Sequence, residues 1–120
     1  MSLNTILVVE DEPLIAMMIE DFLELLGKKI VGPVDCVADG LAAVARGGID
    51  AAILDVNLTG GETSDAIADA LAAAGVPFMF ASGGSGSGIA ERFEDRAVLS
   101  KPFTMDSMER AIAGLEPMQA

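Results

Sequence analysis

Histidine is absent from this sequence of 120 residues, and cysteine occurs once, at Cys36. Without histidine the chain cannot build serine–histidine or cysteine–histidine catalytic arrangements or the usual zinc sites, because each of these needs an imidazole. For the same reason it cannot carry a phosphohistidine. A single cysteine forms no internal disulfide, which is typical of a reducing cytoplasm, and we expect Cys36 to be a small apolar group in the core.

Basic residues and long apolar runs are also scarce. The sequence has 7 lysine and arginine residues against 19 aspartate and glutamate residues, which gives a formal charge of −12. A nucleic-acid-binding protein needs a basic face to replace counterions, so we expect no direct DNA or RNA binding. No apolar stretch approaches the roughly 18 residues of a membrane span, and no basic segment followed by an apolar one opens the chain. We therefore expect a cytoplasmic protein with no membrane segment and no signal peptide.

Short apolar runs alternate with segments of helical periodicity along the chain. Apolar residues make up 52% of the composition, enough for one domain with its own core over residues 1–120. The helical pattern is clearest after Pro13, where apolar residues recur at three- to four-residue spacing (Leu14, Met18, Phe22 and Leu25). Predicted strands lie at 5–9, 29–34, 51–54, 77–81 and 97–99. Predicted helices lie at 13–26, 39–46, 64–74 and 89–95 and after Thr104, with Ser64 and Thr104 as N-caps.

This alternation of five strands and five helices predicts an α/β fold, with a parallel sheet covered by helices on both faces. Crossover connections between parallel strands are right-handed. For a doubly wound sheet of this size we predict the order 2-1-3-4-5, which makes the first and third strands neighbours at the centre. Ligands of such sheets bind beyond the carboxyl ends of the strands, where the winding direction reverses.

Acidic residues follow both of these central strands. Glu10, Asp11 and Glu12 come directly after the first strand, and Asp55 comes directly after the third. Carboxylates that meet in one crevice repel each other, so protons or a cation must relieve them. Hard oxygen ligands with room for water favour Mg²⁺ over a transition metal, and the main-chain carbonyl of Asn57 can supply one more oxygen. Taken alone, the acidic pair at 10–11 would instead indicate a helix-capping turn.

Two further strand ends add a hydroxyl and an ammonium group. The fourth strand ends near Ser82, and the fifth is followed by Lys101 and Pro102. Taken singly, Ser82 would be a turn residue and Lys101 a surface lysine. Lysine is a flexible point charge that can reach an anion across a crevice. Together the four strand ends are suited to hold a divalent metal and a phosphoryl group.

Four motifs in this order make the chain resemble the receiver domain of bacterial two-component response regulators. They are "ILVVEDE" at the first strand, "ILDVNL" at the third, "FMFASG" at the fourth and "LSKPF" at the fifth. The resemblance covers essentially all 120 residues and implies a flavodoxin-like fold. It further implies that Asp55 is the phosphoacceptor, that Asp11 and Asp55 bind Mg²⁺ directly, and that Glu10 acts through water. It assigns metal ligation to the Asn57 carbonyl, phosphoryl contacts to Ser82 and Lys101, and a cis bond between Lys101 and Pro102.

The resemblance also implies a function. Asp55 would take a phosphoryl group from a phosphohistidine of a sensor histidine kinase or a histidine phosphotransfer protein. The chain would assist its own phosphorylation and dephosphorylation without being an enzyme. Phosphate would draw Ser82 toward Asp55 and move the glycine-rich loop after the fourth strand. That movement would change contacts with a downstream protein on the face formed by the predicted fourth helix, fifth strand and fifth helix.

Some positions depart from the family pattern. Val98 stands where receivers often carry an aromatic residue, and Thr59 stands where proline is common. Two stretches are similar to a subgroup of small stand-alone receivers with a "PFxFATGYG" motif, but the loop here reads "SGGSGSG" and lacks the tyrosine. Two alternatives stay open at this point. One is a phosphohydrolase of the haloacid-dehalogenase type, since residues 55–59 loosely echo its D-x-D-x-T motif, and the other is a pseudo-receiver that only binds partners.

Overall fold

Five parallel strands form one sheet in the order β2-β1-β3-β4-β5, which confirms the predicted order. The computed structural model describes residues 4–82, 89, 93, 98–100 and 103–115. The strands are β1 (Thr5–Val9), β2 (Lys29–Val34), β3 (Ala51–Asp55), β4 (Phe78–Ser82) and β5 (Val98–Ser100). The winding direction therefore reverses between β1 and β3.

The helices within the described residues are α1 (Pro13–Leu25), α2 (Val37–Arg46), α3 (Asp65–Ala73) and α4 (Met105–Leu115). A short 3₁₀ turn at Thr59–Gly61 precedes α3. The helix predicted at 89–95 falls largely outside the described residues, and only positions 89 and 93 of it are described. Phe93 is buried there, with its ring centroid 5.6 Å from that of Phe78 and 6.0 Å from that of Phe80.

The sheet has a hydrophobic core on each face, because neighbouring residues of a strand point to opposite sides. One core joins β1 and β3 to α2 and α3 through Leu7, Val9, Ala52, Leu54, Ala43, Ile67 and Leu71. The other joins the same strands to α1 and α4 through Ile6, Val8, Ala51, Ile53, Ile19, Leu23, Met108 and Ile112. This is the predicted arrangement of helices on both faces. Among the described residues, no helix is long and apolar enough to cross a membrane.

Helix α1 buries a narrower stripe than its apolar residues suggest. Ala16, Ile19 and Leu23 are its buried residues. Leu14 and Leu25 are 73% and 75% exposed. Each lies two residues from the buried stripe, which at about 100° per residue is the opposite side of the helix. The exposed leucines are therefore part of a surface that faces away from the sheet.

A bulge in the edge strand β2 helps to position the carboxyl edge of the sheet. The register between β1 and β2 shifts between Leu7 and Val9, so that Val9 pairs with Val34. Gly32 lies at this shift with a φ of 98°, and the Gly32–Pro33 peptide bond is cis. A Cβ at Gly32 would lie 2.7 Å from the Val34 nitrogen and 2.9 Å from the carbonyl oxygen of Val8. Only glycine fits here, because both close atoms are backbone.

Candidate metal centre at the carboxyl edge of the sheet

Three carboxylates come together where β1 and β3 end. Val9 pairs with Leu54 in the β1–β3 ladder, and Glu10 and Asp55 are the next residues along the two strands. One carboxylate oxygen from each of Glu10, Asp11 and Asp55 lies within 4.8 Å of the other two. Glu10 is buried, and the other two are half-buried. The register of two central strands thus assembles these three carboxylates, Glu10, Asp11 and Asp55, into an acidic cluster.

Glu10 is held in the acidic cluster by its backbone and by its side chain. Its N–H donates to the carbonyl of Val34 at 2.9 Å, a bond that depends on the bulge in β2. Its Oε2 accepts from the N–H of Glu12 at 3.1 Å, just before α1 begins at Pro13. Glu10 therefore supports the start of α1 and also contributes to the cluster. The helix-capping interpretation and the metal-binding interpretation of this residue are compatible. Glu12 itself is exposed and is not part of the cluster.

The charges of the cluster favour a divalent cation. Two carboxylates 4.8 Å apart repel each other by about 0.9 kcal/mol in water and by about 3.5 kcal/mol at an effective dielectric constant of about 20. A divalent cation between them attracts both carboxylates, and this attraction exceeds their mutual repulsion. Oxygen donors of this kind suit Mg²⁺, which is held in proteins by one or two carboxylates and keeps several waters. The residues present therefore fit the predicted metal.

Asn57 lies in a loop that folds back on itself after β3. It forms an isolated antiparallel bridge with Thr63 and is exposed. The flanking hydrogen bonds run from Leu58 N–H to the Glu62 carbonyl at 2.8 Å and from Ser64 N–H to the Val56 carbonyl at 3.1 Å. Neither bond uses the carbonyl of Asn57. The predicted ligand role of this carbonyl stays a prediction.

The remaining predicted site residues lie at the same edge of the sheet or outside the described residues. Asp55 pairs with Ala81 of β4, and Ser82 pairs with Ser100 of β5, so the backbone of Ser82 reaches the edge that carries Asp55. The predicted contact of the Ser82 hydroxyl falls outside what the structure describes. Lys101, Pro102, their predicted cis bond and the glycine-rich loop after β4 also lie outside the described residues.

One contact near the cluster was missed from the sequence. Glu62 Oε1 accepts a hydrogen bond from the N–H of Val37, the first residue of α2, at 3.0 Å. The two residues are 25 positions apart, so no local sequence pattern predicts the pairing. It supplies an acceptor for the first N–H of α2, which begins at Val37, two residues earlier than predicted.

A second group of oxygen and sulfur atoms lies at the start of α2. Asp35, Cys36 and Asp39 also have one potential ligand atom each within 4.8 Å of one another. The two aspartates are exposed, and Cys36 is half-buried, so it is less buried than expected. Carboxylates are favourable at a helix N-terminus without any metal, because they complement the helix dipole.

No protein-family model matches the chain, and no curated protein matches it either. Solved structures do match. SdrG from Sphingomonas melonis Fr1 has 64% sequence identity and a TM-score of 0.87, with 96% of this chain and 98% of that chain covered. The BeF3-activated conformation of SdrG from Pseudomonas melonis Fr1 has 63% identity and a TM-score of 0.82, with 95% and 97% covered.

Two more distant structures share the architecture. The REC domain of the PhyR response regulator from Erythrobacter litoralis has 27% identity and a TM-score of 0.81, covering 99% of this chain and 97% of that chain. The receiver domain of the sensor histidine kinase PA1611 from Pseudomonas aeruginosa PAO1 has 21% identity and a TM-score of 0.82, covering 95% and 98%. At that identity the likeness concerns the fold alone. That structure contains a magnesium ion coordinated in its active site cleft.

Proposed function

Since the chain belongs to the receiver domains of response regulators, we propose that it is a phosphoacceptor of a two-component phosphorelay in which Asp55 takes the phosphoryl group. The relatives are signalling domains and not enzymes. The observation that carries the proposal is the acidic cluster, with Asp55 at the end of β3 within 4.8 Å of the carboxylates of Glu10 and Asp11. This placement at the reversal of winding is where a ligand of such a sheet binds.

The chemistry asks for an activated donor, because a carboxylate is a weak nucleophile. An oxygen of Asp55 would form the new bond to phosphorus while the bond between phosphorus and the donor imidazole nitrogen breaks. The chain has no histidine of its own. The phosphohistidine would therefore belong to another protein, either a sensor histidine kinase or a histidine phosphotransfer protein. Water would later hydrolyse the aspartyl phosphate at the same position.

The acidic cluster would hold the metal that this reaction requires. Asp11 and Asp55 would be direct ligands, Glu10 would act through bound water, and the Asn57 carbonyl would complete the protein ligands. A bound magnesium ion supplies positive charge that screens the attacking carboxylate from the phosphoryl oxygens. The donor set of this chain, which consists of oxygens alone, supports this assignment.

Residues at the ends of the fourth and fifth strands would bind the phosphoryl group. Ser82 and Lys101 would contact its oxygens, the first by a hydroxyl and the second by an ammonium group. Ser82 would then move toward Asp55 and carry the loop after β4 with it. A phosphoryl contact that is made in only one of two conformations shifts the population toward that conformation. A downstream protein would sense the change on the face that includes β5 and α4.

Exposed apolar side chains beside the cluster support a protein as the donor. Leu14 and Met17 are 73% and 57% exposed, and they lie on the first turns of α1, directly after Asp11. Large apolar side chains grouped on a surface are typical of protein–protein contacts. A donor protein that covers them would bring its phosphohistidine to the carboxyl edge of the sheet.

Phosphorylation can be tested directly by mass. The chain is incubated with Mg²⁺ and acetyl phosphate or phosphoramidate, and its intact mass is measured. We expect a gain of one phosphoryl group in the wild type and none in Asp55→Ala. Asp50→Asn is the matched control, since Asp50 precedes β3 at the opposite edge of the sheet. The control should gain the same mass as the wild type.

The mass measurement and a second assay, phosphate release from a simple phosphate ester, separate the alternatives. A pseudo-receiver would gain no mass, and a phosphohydrolase would release phosphate steadily from a simple phosphate ester. The haloacid-dehalogenase motif normally ends the first strand, whereas Asp55 ends β3. Its second aspartate, the acid–base group, would fall at Asn57, and an amide cannot replace it. A retained phosphoryl group on the Asp55→Ala variant would contradict the proposal.

A further inference from the structure

Glu62 lies in the loop that joins Asp55 to α3, and this loop is fixed to itself and to the core. The bridge between Asn57 and Thr63 closes it, together with the bond from Leu58 N–H to the Glu62 carbonyl at 2.8 Å. Leu58 is 5% exposed and belongs to the core shared with α2 and α3. A displacement of Glu62 would therefore displace the whole loop, including the predicted ligand Asn57.

The side chain of Glu62 leaves this loop and reaches the start of α2. Its Oε1 accepts from the N–H of Val37 at 3.0 Å. The first N–H groups of a helix have no partner within the helix. The N-cap residue, Cys36, makes no side-chain capping bond, so the acceptor comes from Glu62 in a distant loop. A carboxylate in this position is also favoured by the helix dipole.

The turn between β2 and α2 is held at its other end by the acidic cluster. The carbonyl of Val34 accepts from the N–H of Glu10 at 2.9 Å. Residues 34–37 thus form a strap with two attachments, Glu10 at one end and Glu62 at the other. One attachment belongs to the loop with Glu10 and Asp11, and the other belongs to the loop that follows Asp55.

We propose that Glu62 is a positioning residue for the metal centre, which acts through Val37 and the 34–37 strap. The contact fixes the loop after Asp55 relative to the loop after β1, and so it positions the predicted ligand Asn57 relative to the carboxylates, whose own spacing is set by the β1–β3 ladder. The inference rests on the proposed function, because it assumes that the acidic cluster binds Mg²⁺. Glu62 touches neither the metal nor the phosphoryl group in this scheme.

Two substitutions separate the contact from the charge. Glu62→Gln keeps the length and a carbonyl acceptor but loses the charge. Glu62→Asp keeps the charge but is one methylene shorter and no longer reaches Val37. The matched control is Glu109→Gln, which removes an exposed carboxylate from α4. The chain has no tryptophan or tyrosine, so Mg²⁺ binding is followed by backbone amide shifts in ¹H–¹⁵N spectra.

We expect Glu62→Asp to weaken Mg²⁺ binding about fivefold, and Glu62→Gln to stay within about twofold of the wild type. In the presence of chelator, hydrogen exchange of the Val37 amide should be faster in Glu62→Asp than in Glu62→Gln. Rescue by glutamine would not occur if the charge alone mattered. Glu109→Gln should leave both measurements unchanged.

The outcomes distinguish the two proposals. If the wild type does not bind Mg²⁺, the proposed function fails, and the positioning role fails with it. If the wild type binds Mg²⁺ and Glu62→Asp binds equally well, only the positioning role is overturned. The role is also overturned if Glu62→Gln loses as much affinity as Glu62→Asp, or if exchange of the Val37 amide is the same in all variants.

Discussion

Replacing Asp55 by asparagine should stabilise the metal-free protein. The substitution keeps the size of the side chain and removes one of the three charges of the acidic cluster. Most substitutions at half-buried positions destabilise a protein. A gain in stability at the very residue proposed to carry the chemistry would therefore be a specific signature of a strained cluster of like charges.

The expected magnitude follows from the geometry. Of the three carboxylate pairs within 4.8 Å, Asp55 takes part in two, with Glu10 and with Asp11. Each pair is worth between about 0.9 kcal/mol in water and about 3.5 kcal/mol at an effective dielectric constant of about 20. Other interactions of the Asp55 carboxylate offset part of this. We expect Asp55→Asn to raise the free energy of unfolding by about 1–2 kcal/mol, which raises Tm by about 4–8 °C.

Urea unfolding followed by circular dichroism, with chelator and then with Mg²⁺, tests the reasoning. Mg²⁺ should stabilise the wild type by about 1.4 kcal/mol at ten times its Kd. It should stabilise Asp55→Asn less, so the difference between the two proteins narrows. A lower stability of Asp55→Asn in chelator would refute the argument from charge repulsion, and equal stabilisation by Mg²⁺ would refute the site.

Asp50→Asn is the matched control for this experiment. Asp50 Oδ2 accepts from the N–H groups of Asn4 and Thr5 at 3.0 Å each, at the edge of the sheet opposite the acidic cluster. Its negative charge therefore strengthens two hydrogen bonds of the fold, and Asp50→Asn should lower the free energy of unfolding by about 1 kcal/mol. The stabilisation by Mg²⁺ should equal that of the wild type. In chelator, Asp50→Asn should therefore be less stable than the wild type, whereas Asp55→Asn should be more stable.

Two further pairs of variants test local features by urea unfolding. Gly32→Ala should lower the free energy of unfolding by about 2–4 kcal/mol, because its Cβ would meet backbone atoms at 2.7 and 2.9 Å. Gly27→Ala should lower it by about 1 kcal/mol, because Gly27 also has a positive φ, 78°, but no atom lies within 4 Å of the added Cβ. Equal losses would show that the bulge relaxes easily. Thr104→Ala should lower the free energy of unfolding by about 1 kcal/mol, because the Oγ1 of Thr104 caps α4. Ser64→Ala should leave it almost unchanged, because the buried hydroxyl of Ser64 makes no capping bond. A larger loss at Ser64 would contradict this assignment.

The sequence predicted the fold well because apolar residues are spaced differently in the strands and in the helices of this chain. Runs such as residues 6–9 and 51–54 are entirely apolar, and the structure buries all of their side chains between helices on both faces. Strand ends were predicted to within one residue, and β2 was predicted with its observed bounds. Two strand orders are common for doubly wound sheets, and the five-stranded one, 2-1-3-4-5, was the prediction that the structure confirms.

Other features depend on tertiary contacts and leave no local signal. Ser64 occupies the N-cap of α3 as predicted, yet its side chain forms no capping bond, because it is buried against the core. The N–H of Val37, at the start of α2, donates to Glu62 of another loop. The bulge at Gly32 requires knowledge of the β1–β2 register. In each case the deciding contacts come from other parts of the fold, and the periodicity of the sequence carries no information about them.

The acidic cluster is also fixed by the least adaptable part of the molecule. Ile6 to Val9 of β1 and Ala51 to Leu54 of β3 are at most 1% exposed, and their ladder places Glu10 beside Asp55. A packed core deforms little, so the strands cannot separate to relieve the repulsion of the carboxylates. Positive charge near the carboxylates, or the loss of one of their charges, lowers this repulsion without moving the strands. If the proposed metal site is correct, a rigid sheet that holds like charges together should make the free energy of unfolding rise when Mg²⁺ is added.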